Sequence, residues 1–251
     1  MSLFSKLNFF QKLACNEPVI IEAFGSSNTQ RRLPGMTWFD YIELGFKAAY
    51  GAGCGTFINA GIGGDTSKML LERFDRDVRP FHPDVVIITI GGNDSNPAQN
   101  ISSRQFRENL LELQRRITNL GGQVIFQTYY SCMLELLSPE MAERMLENMQ
   151  VIRGVATETG SPLQDHYARW SRLQNHCPKI YQLLMTDAMH VNSEGNSVLG
   201  LDLLRSFSVD LPQPFAETFK VGYFGLQLLD LLEENSREAF SAAPIISSTN
   251  S

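Results

Sequence analysis

The chain has 251 residues, 43% of them hydrophobic and 19% charged, and a formal net charge of -6. That balance excludes a disordered or fibrous chain, and the acidic surplus argues against a nucleic-acid partner, which would need a basic face. The length allows one large domain or two small ones.

At the N-terminus Leu3, Phe4, Leu7, Phe10 and Leu13 recur at helical spacing. Gln11 and Lys12 interrupt this apolar stretch and no small-residue cleavage site follows, so a short amphipathic helix packed on the domain is expected rather than a secretory leader. Apolar runs at 18–24, 55–60, 84–90 and 123–129 read as strands, with a weaker fifth at 161–165. Each is short and bounded by turn residues. Val, Ile and Phe dominate the first, third and fourth, as in parallel strands covered on both faces. Helical patterns lie between the strands, at 37–50, 67–78, 102–120, 141–158 and 194–207. In the clearest, Phe106, Leu110, Leu113 and Ile117 mark one face, and Gly121-Gly122 stops the helix. This alternation predicts an α/β protein, a three-layer α/β/α sandwich around a mostly parallel sheet.

No repeat or linker interrupts the chain before about residue 210. One domain is therefore expected over 1–209, with an extension over 210–251. In the extension Phe219, Tyr223, Phe224, Leu228, Leu231 and Leu232 predict one more helix. Its apolar side is expected to dock on its own domain, the alternative being a homo-oligomer formed through it. The tail after Ala239 is small and polar and is expected to be loose. Cys15, Cys54, Cys132 and Cys177 are scattered, without a CxxC pair or ligand spacing. A reducing, cytoplasmic setting is therefore expected rather than a disulfide framework. No apolar run approaches the ~18 residues of a membrane span.

Three polar, glycine-rich segments directly follow strands: Gly25-Ser26-Ser27-Asn28, Asn59-Ala60-Gly61-Ile62-Gly63-Gly64-Asp65 and Gly91-Gly92-Asn93-Asp94. In a parallel sheet the carboxyl ends of the strands share one edge, where ligands bind, so the three segments should converge. Ser27, just past a glycine and at the expected start of a helix, would present a hydroxyl. Gly61 can bring a backbone N–H close to a ligand, and Asn93 offers a side-chain NH₂. Donors around a serine make an oxyanion hole. A serine also needs a base. Of the four histidines, His82, His166, His176 and His190, only His190 has an aspartate three residues upstream, in Asp187-Ala188-Met189-His190. In a loop, that spacing lets the carboxylate accept from Nδ1–H and leaves Nε2 for the serine. Asp165-His166, after the fifth strand, is the rival pair. Asp94 reads as a structural turn residue.

In this order and spacing, over roughly residues 18–209, these segments resemble the four blocks of the SGNH, or GDSL, hydrolases. The resemblance implies a flavodoxin-like doubly wound sheet of about five parallel strands. It also implies Ser27 as nucleophile, His190 as base and Asp187 as its orienting acid. The oxyanion would lie between the Ser27 N–H, the Gly61 N–H and the Asn93 side chain. The aspartate that usually precedes the family's nucleophile is Ser26 here, so two adjacent serines compete, and motif position favours Ser27. No cofactor is implied, and Asp165, Asp187 and His190 lack the spacing of a metal site. The expected reaction is hydrolysis of a small acyl ester, acetyl or another short chain on a carbohydrate or small alcohol, through an acyl-enzyme. Alternatives are a lipase or thioesterase whose acyl pocket is shaped by the Met-rich segment 133–149, acyl transfer to an alcohol acceptor at the same site, and a silent carbohydrate-binding module.

Overall fold

The computed structural model describes Phe4 and residues 7–31, 35–209 and 217–241. Five parallel strands form one sheet: β1 (Val19–Gly25), β2 (Gly55–Gly61), β3 (Val85–Thr89), β4 (Gln123–Gln127) and β5 (Leu163–Gln164), in the order β2-β1-β3-β4-β5. The chain runs outward from β1 to β2, then crosses back to β3 on the other side of β1, so the topological switch point lies between β1 and β3. Gly25 is level with Gly61 on one side and with Thr89 on the other, so the segments that leave β1, β2 and β3 begin side by side.

The sheet and its flanking helices make the expected α/β fold. Helices α3 (Ser67–Asp77), α4 (Ser103–Asn119) and α5 (Pro139–Thr159) pack side by side, while α2 (Trp38–Tyr50) packs on α8 (Ser193–Ser206). Polar caps set several starts: Ser102 accepts the Gln105 N–H, and Thr37 and Asp40 form a capping box. β3 is buried throughout, as expected of a strand covered on both faces, whereas β2 is an edge strand with exposed Thr56. The N-terminal helix α1 is shorter than expected, Phe9–Ala14. Phe4 and Phe9 still reach the core, where Phe207 lies 5.2 Å from Phe4 and 5.3 Å from Phe46. Leu3 lies outside the described residues. Two helices that periodicity did not mark, α6 (His166–His176) and α7 (Pro178–Leu183), follow β5.

The C-terminal helix α9 (Glu217–Ser241) packs on α8 and α6 of its own chain. Close approach depends on two glycines: a Cβ at Gly225 would stand 2.4 Å from Val198 Cγ2, and one at Gly222 2.6 Å from Leu201 Cδ1. Phe219, Leu226 and Leu229 face inward, whereas Val221, Phe224 and Leu231 stay exposed. The tail expected to be loose lies, beyond Ser241, outside the described residues. Asp230 clamps α9 by accepting from Arg169 at 2.9 Å and from Arg205 at 2.6 Å. Burial pushes its carboxyl up, but the two guanidiniums outweigh that and hold it below the usual range. Asp230→Ala is therefore expected to cost about 1–2 kcal/mol, after allowance for its partial exposure. That corresponds to a melting temperature lower by roughly 3–6 °C in a calorimetric scan. An unchanged melting temperature would show that apolar packing alone docks the helix.

Candidate active site

The turn after β1 is built around a position that admits only glycine. A Cβ at Gly25 would lie 2.4 Å from both Thr89 O and Thr29 Oγ1. The chain then folds tightly, with the Thr29 and Gln30 N–H groups donating to Ser26 O at 3.0 and 2.9 Å. Ser27 sits in this turn and not at a helix start as expected; among the described residues the next helix begins at Trp38. The turn sends the two serines in opposite directions. Ser26 is fully buried, its Oγ 3.1 Å from Tyr129 OH, while Ser27 Oγ lies 2.8 Å from His190 Nε2.

The His190 loop is held at both ends. Met185 and Val191 form an antiparallel bridge, and the Thr186 N–H donates to His190 O at 2.7 Å. From the segment after β4, the Met133 N–H donates to Ala188 O at 2.9 Å, and Asn192 caps α8 by accepting the Gly195 N–H at 3.0 Å. His190 Nδ1 lies 2.8 and 2.9 Å from the two Asp187 oxygens. Asp187 Oδ1 also accepts the Met189 N–H at 2.8 Å. Burial raises the Asp187 carboxyl, but these donors outweigh it and keep it below the usual carboxylate range. With Asp187 charged, the proton belongs on Nδ1, and the Nε2 lone pair faces the Ser27 O–H.

Of the expected oxyanion donors, Asn93 and Gly61 fare differently. Asn93 donates one Nδ2 hydrogen to Asp65 O at 2.8 Å, which orients the amide and leaves its second hydrogen. The Gly61 N–H is already taken, donating to Asn59 Oδ1 at 3.0 Å, so the expectation for Gly61 is corrected. The reason is the parallel ladder. Ile62 donates to Gly25 O at 3.1 Å, so the preceding amide points away from β1 to the free edge, where Asn59 meets it. Asn59 also braces the nucleophile turn, its Nδ2 donating to Thr29 O at 2.8 Å. Gly61 serves close approach instead, since a Cβ there would lie 2.3 Å from Gln30 N. The following glycines are better placed. A Cβ at Gly63 would stand 3.8 Å from Ser27 Cβ, and Gly64 turns the chain with φ +88°. Among the described residues no acceptor takes the N–H of Ser27, Gly63 or Gly64.

The rival pair is engaged elsewhere. His166 is buried with Nε2 2.9 Å from Gln127 Oε1; burial, then the Arg169 charge, pushes its pKa down to about 3. Asp165 caps α6 and pairs with Arg153 at 2.7 Å. Asp94 accepts the Ser67 N–H at 2.9 Å at the start of α3, and burial raises its carboxyl. Among the described residues no group of three or more His, Cys, Asp or Glu side chains is placed to hold a metal ion, and no helix is long and apolar enough to cross a membrane. Two contributors carry no motif signature that would assign them a role. Asn28 lies inside the first block, and Tyr130 follows β4 on the same sheet edge. An aromatic hydroxyl just past a strand end was the available signal.

A doubly wound parallel sheet carries Ser27 at its switch point, with His190 beside it and Asp187 behind the imidazole, an arrangement of the kind that serine hydrolases use. Residues 23–198 match the model of the GDSL-like lipase/acylhydrolase family, and the chain belongs to that family. Among solved structures, Axe2, an acetylxylan esterase from Geobacillus stearothermophilus, is 22% identical with a TM-score of 0.67, over 78% of this chain and 97% of its own. The lipase/acylhydrolase from Enterococcus faecalis is 26% identical with a TM-score of 0.64, over 78% of this chain and 99% of its own. The acetyl xylan esterase AlAXEase is 21% identical with a TM-score of 0.65, over 75% of this chain and 99% of its own. No curated protein matches the chain.

Proposed function

We infer that the protein hydrolyses short acyl esters, acetyl esters of a carbohydrate or small alcohol above all, through an acyl-enzyme on Ser27. The observation that carries the reading is the continuous relay from Ser27 Oγ through His190 to Asp187, with contacts of 2.8 Å at both nitrogens. His190 Nε2 takes the Ser27 proton as Oγ attacks the ester carbonyl. Asp187, kept charged, faces the imidazolium that forms. The oxyanion is received by the Ser27 N–H, the second Asn93 amide hydrogen and a backbone N–H of the Gly63-Gly64 turn, in place of Gly61. His190 then returns its proton to the departing alkoxide, leaving acyl-Ser27. Water, deprotonated by His190, attacks the acyl carbon; the carboxylic acid leaves and the Ser27 hydroxyl is restored.

Two observations favour a short acyl group. Met145 and Met149 are fully buried in the core, which removes them from any acyl pocket built by the Met-rich segment. Two of the structural relatives are acetylxylan esterases.

A panel of nitrophenyl esters from acetate to palmitate tests the reading. kcat/KM is expected to peak at acetate. His190→Ala should lose about 10⁴-fold or more in kcat, while His166→Ala should keep most of the activity and lose stability. Activity that rises with chain length would make the protein a lipase or thioesterase. Loss of turnover on His166→Ala instead would transfer the role of base.

A further inference from the structure

A second set of contacts joins the two catalytic loops, and it passes through Tyr130. Its hydroxyl lies 2.6 Å from Asn28 Oδ1, with Met189 O as a second acceptor in reach, and it accepts the Val191 N–H at 3.0 Å. Asn28 is the residue after Ser27, and Met189 and Val191 are the two neighbours of His190. Asn28 Nδ2 closes the ring by donating to Met189 O at 3.3 Å. From the other side Trp38 Nε1 donates to Asn28 O at 2.9 Å. The Tyr130 ring is buried, with its centroid 5.5 Å from that of Trp170 and 6.3 Å from that of Tyr129. The core therefore sets where the hydroxyl stands, and the loops conform to it. Burial also pushes that hydroxyl well above the ordinary tyrosine range, so it remains a donor across the working pH range of the enzyme.

We propose that Tyr130 is a positioning residue: its hydroxyl holds Asn28 and the backbone on both sides of His190 at once, and so sets the separation of Ser27 Oγ from His190 Nε2. This rests on the reading of Ser27 and His190 as nucleophile and base. Neither of those side chains touches the Tyr130 hydroxyl. Its effect is on the distance across which the proton moves, and a displacement of about 1 Å in such a pair costs up to ~10²-fold in rate.

Tyr130→Phe removes the hydroxyl and keeps the packed ring. On nitrophenyl acetate its kcat is expected to fall about 10- to 100-fold with KM within about two-fold, because substrate binding does not use this hydroxyl. Labelling of Ser27 by a fluorophosphonate should slow in parallel. Tyr41→Phe is the control, a buried tyrosine on α2 whose ring packs against Phe219 of α9 with centroids 6.0 Å apart. It is expected to lose similar stability and no kcat. Because Tyr130 and Asn28 belong to one tether, their effects on kcat should be less than additive: Tyr130→Phe should cost less in an Asn28→Ala background than in the native enzyme. If Tyr130→Phe keeps kcat within about two-fold while the native enzyme is active, the tyrosine is a packing residue and the proposal is overturned. A native enzyme inert on every ester would instead sink the reading of the site. Should Tyr130→Phe fail to fold, Asn28→Ala alone decides: a ten-fold or larger loss of kcat at unchanged KM supports the tether, and an unchanged kcat overturns it.

Discussion

Ser27→Ala is expected to lower kcat for nitrophenyl acetate by about 10⁴- to 10⁶-fold, whereas Ser26→Ala should stay within about ten-fold of the native enzyme. The two hydroxyls are adjacent in sequence but face different surroundings. Ser27 Oγ has an imidazole nitrogen at 2.8 Å, so its proton has somewhere to go as the oxygen attacks. Ser26 Oγ is fully buried against Tyr129 OH, and among the described residues no histidine or carboxylate bonds it. Truncating Ser26 removes one buried hydrogen bond, worth about 1 kcal/mol, so its effect belongs on the melting temperature. What survives in Ser27→Ala is the oxyanion site and substrate binding, which by themselves still exceed uncatalysed hydrolysis. Mass spectrometry after fluorophosphonate treatment separates the cases without kinetics. The native and Ser26→Ala proteins should each gain one adduct, and Ser27→Ala none. Labelling of Ser27→Ala with loss of labelling in Ser26→Ala would reverse the assignment.

How far such roles were legible depends on what kind of interaction defines them. The strands were readable because burial on both faces demands unbroken apolar runs, and β1, β3 and β4 fall within about two residues of expectation. Helices α6 and α7 were missed because α6 buries only a sparse stripe, His166, Trp170 and Leu173, and one member of that stripe is polar. Convergence of the three glycine-rich segments followed from parallel topology, and the register that levels Gly25 with Gly61 and Thr89 satisfies it. The choice of glycine was not legible. Whether a given amide on an edge strand points inward or outward depends on ladder phase, and only the Ile62 to Gly25 hydrogen bond reveals that phase. The spacing of Asp187 and His190 carried its own geometry, because a three-residue separation in a loop brings the carboxylate to Nδ1. Tyr130 lacked any such local signature, since its partners lie far away in the chain, at Asn28 and around His190.

Glu22→Gln is expected to gain stability relative to the native protein at each pH step from about 5 to 8, and the native protein itself should lose stability above about pH 6.5, where the opposing contribution of buried, neutral His166 has ended. Glu22 lies on β1 with no exposed surface, and neither of its oxygens has a hydrogen-bond partner among the described residues. The nearby guanidinium of Arg73 is committed elsewhere, to Asp65 at 2.6 Å, Asp77 at 2.7 Å and Gly25 O at 3.0 Å. Burial foremost, then the Asp77 charge, raises the Glu22 pKa to about 8 against the smaller opposing pull of Arg73. The folded protein thus keeps a proton that the unfolded chain releases above its ordinary value of 4.5. Across that window the folded state binds more protons at Glu22, so the residue's contribution to the free energy of unfolding falls with each pH step, until the loss is complete above the folded pKa. Each pH unit within the window costs at most about 1.36 kcal/mol, so the full effect is on the order of 3–5 kcal/mol, which corresponds to roughly 10 °C in melting temperature for a domain of this size. Glutamine keeps the shape and removes the charge, although its amide would be as unpartnered as the carboxyl. The slope of melting temperature against pH is therefore the diagnostic, not its level at one pH. An equal slope in Glu22→Gln would locate the titration in another group. Above pH 8 the charged carboxylate would also compete for Arg73, the side chain that holds the Gly25 carbonyl at the start of the Ser27 turn. The same variant should therefore retain more esterase activity than the native enzyme under alkaline conditions.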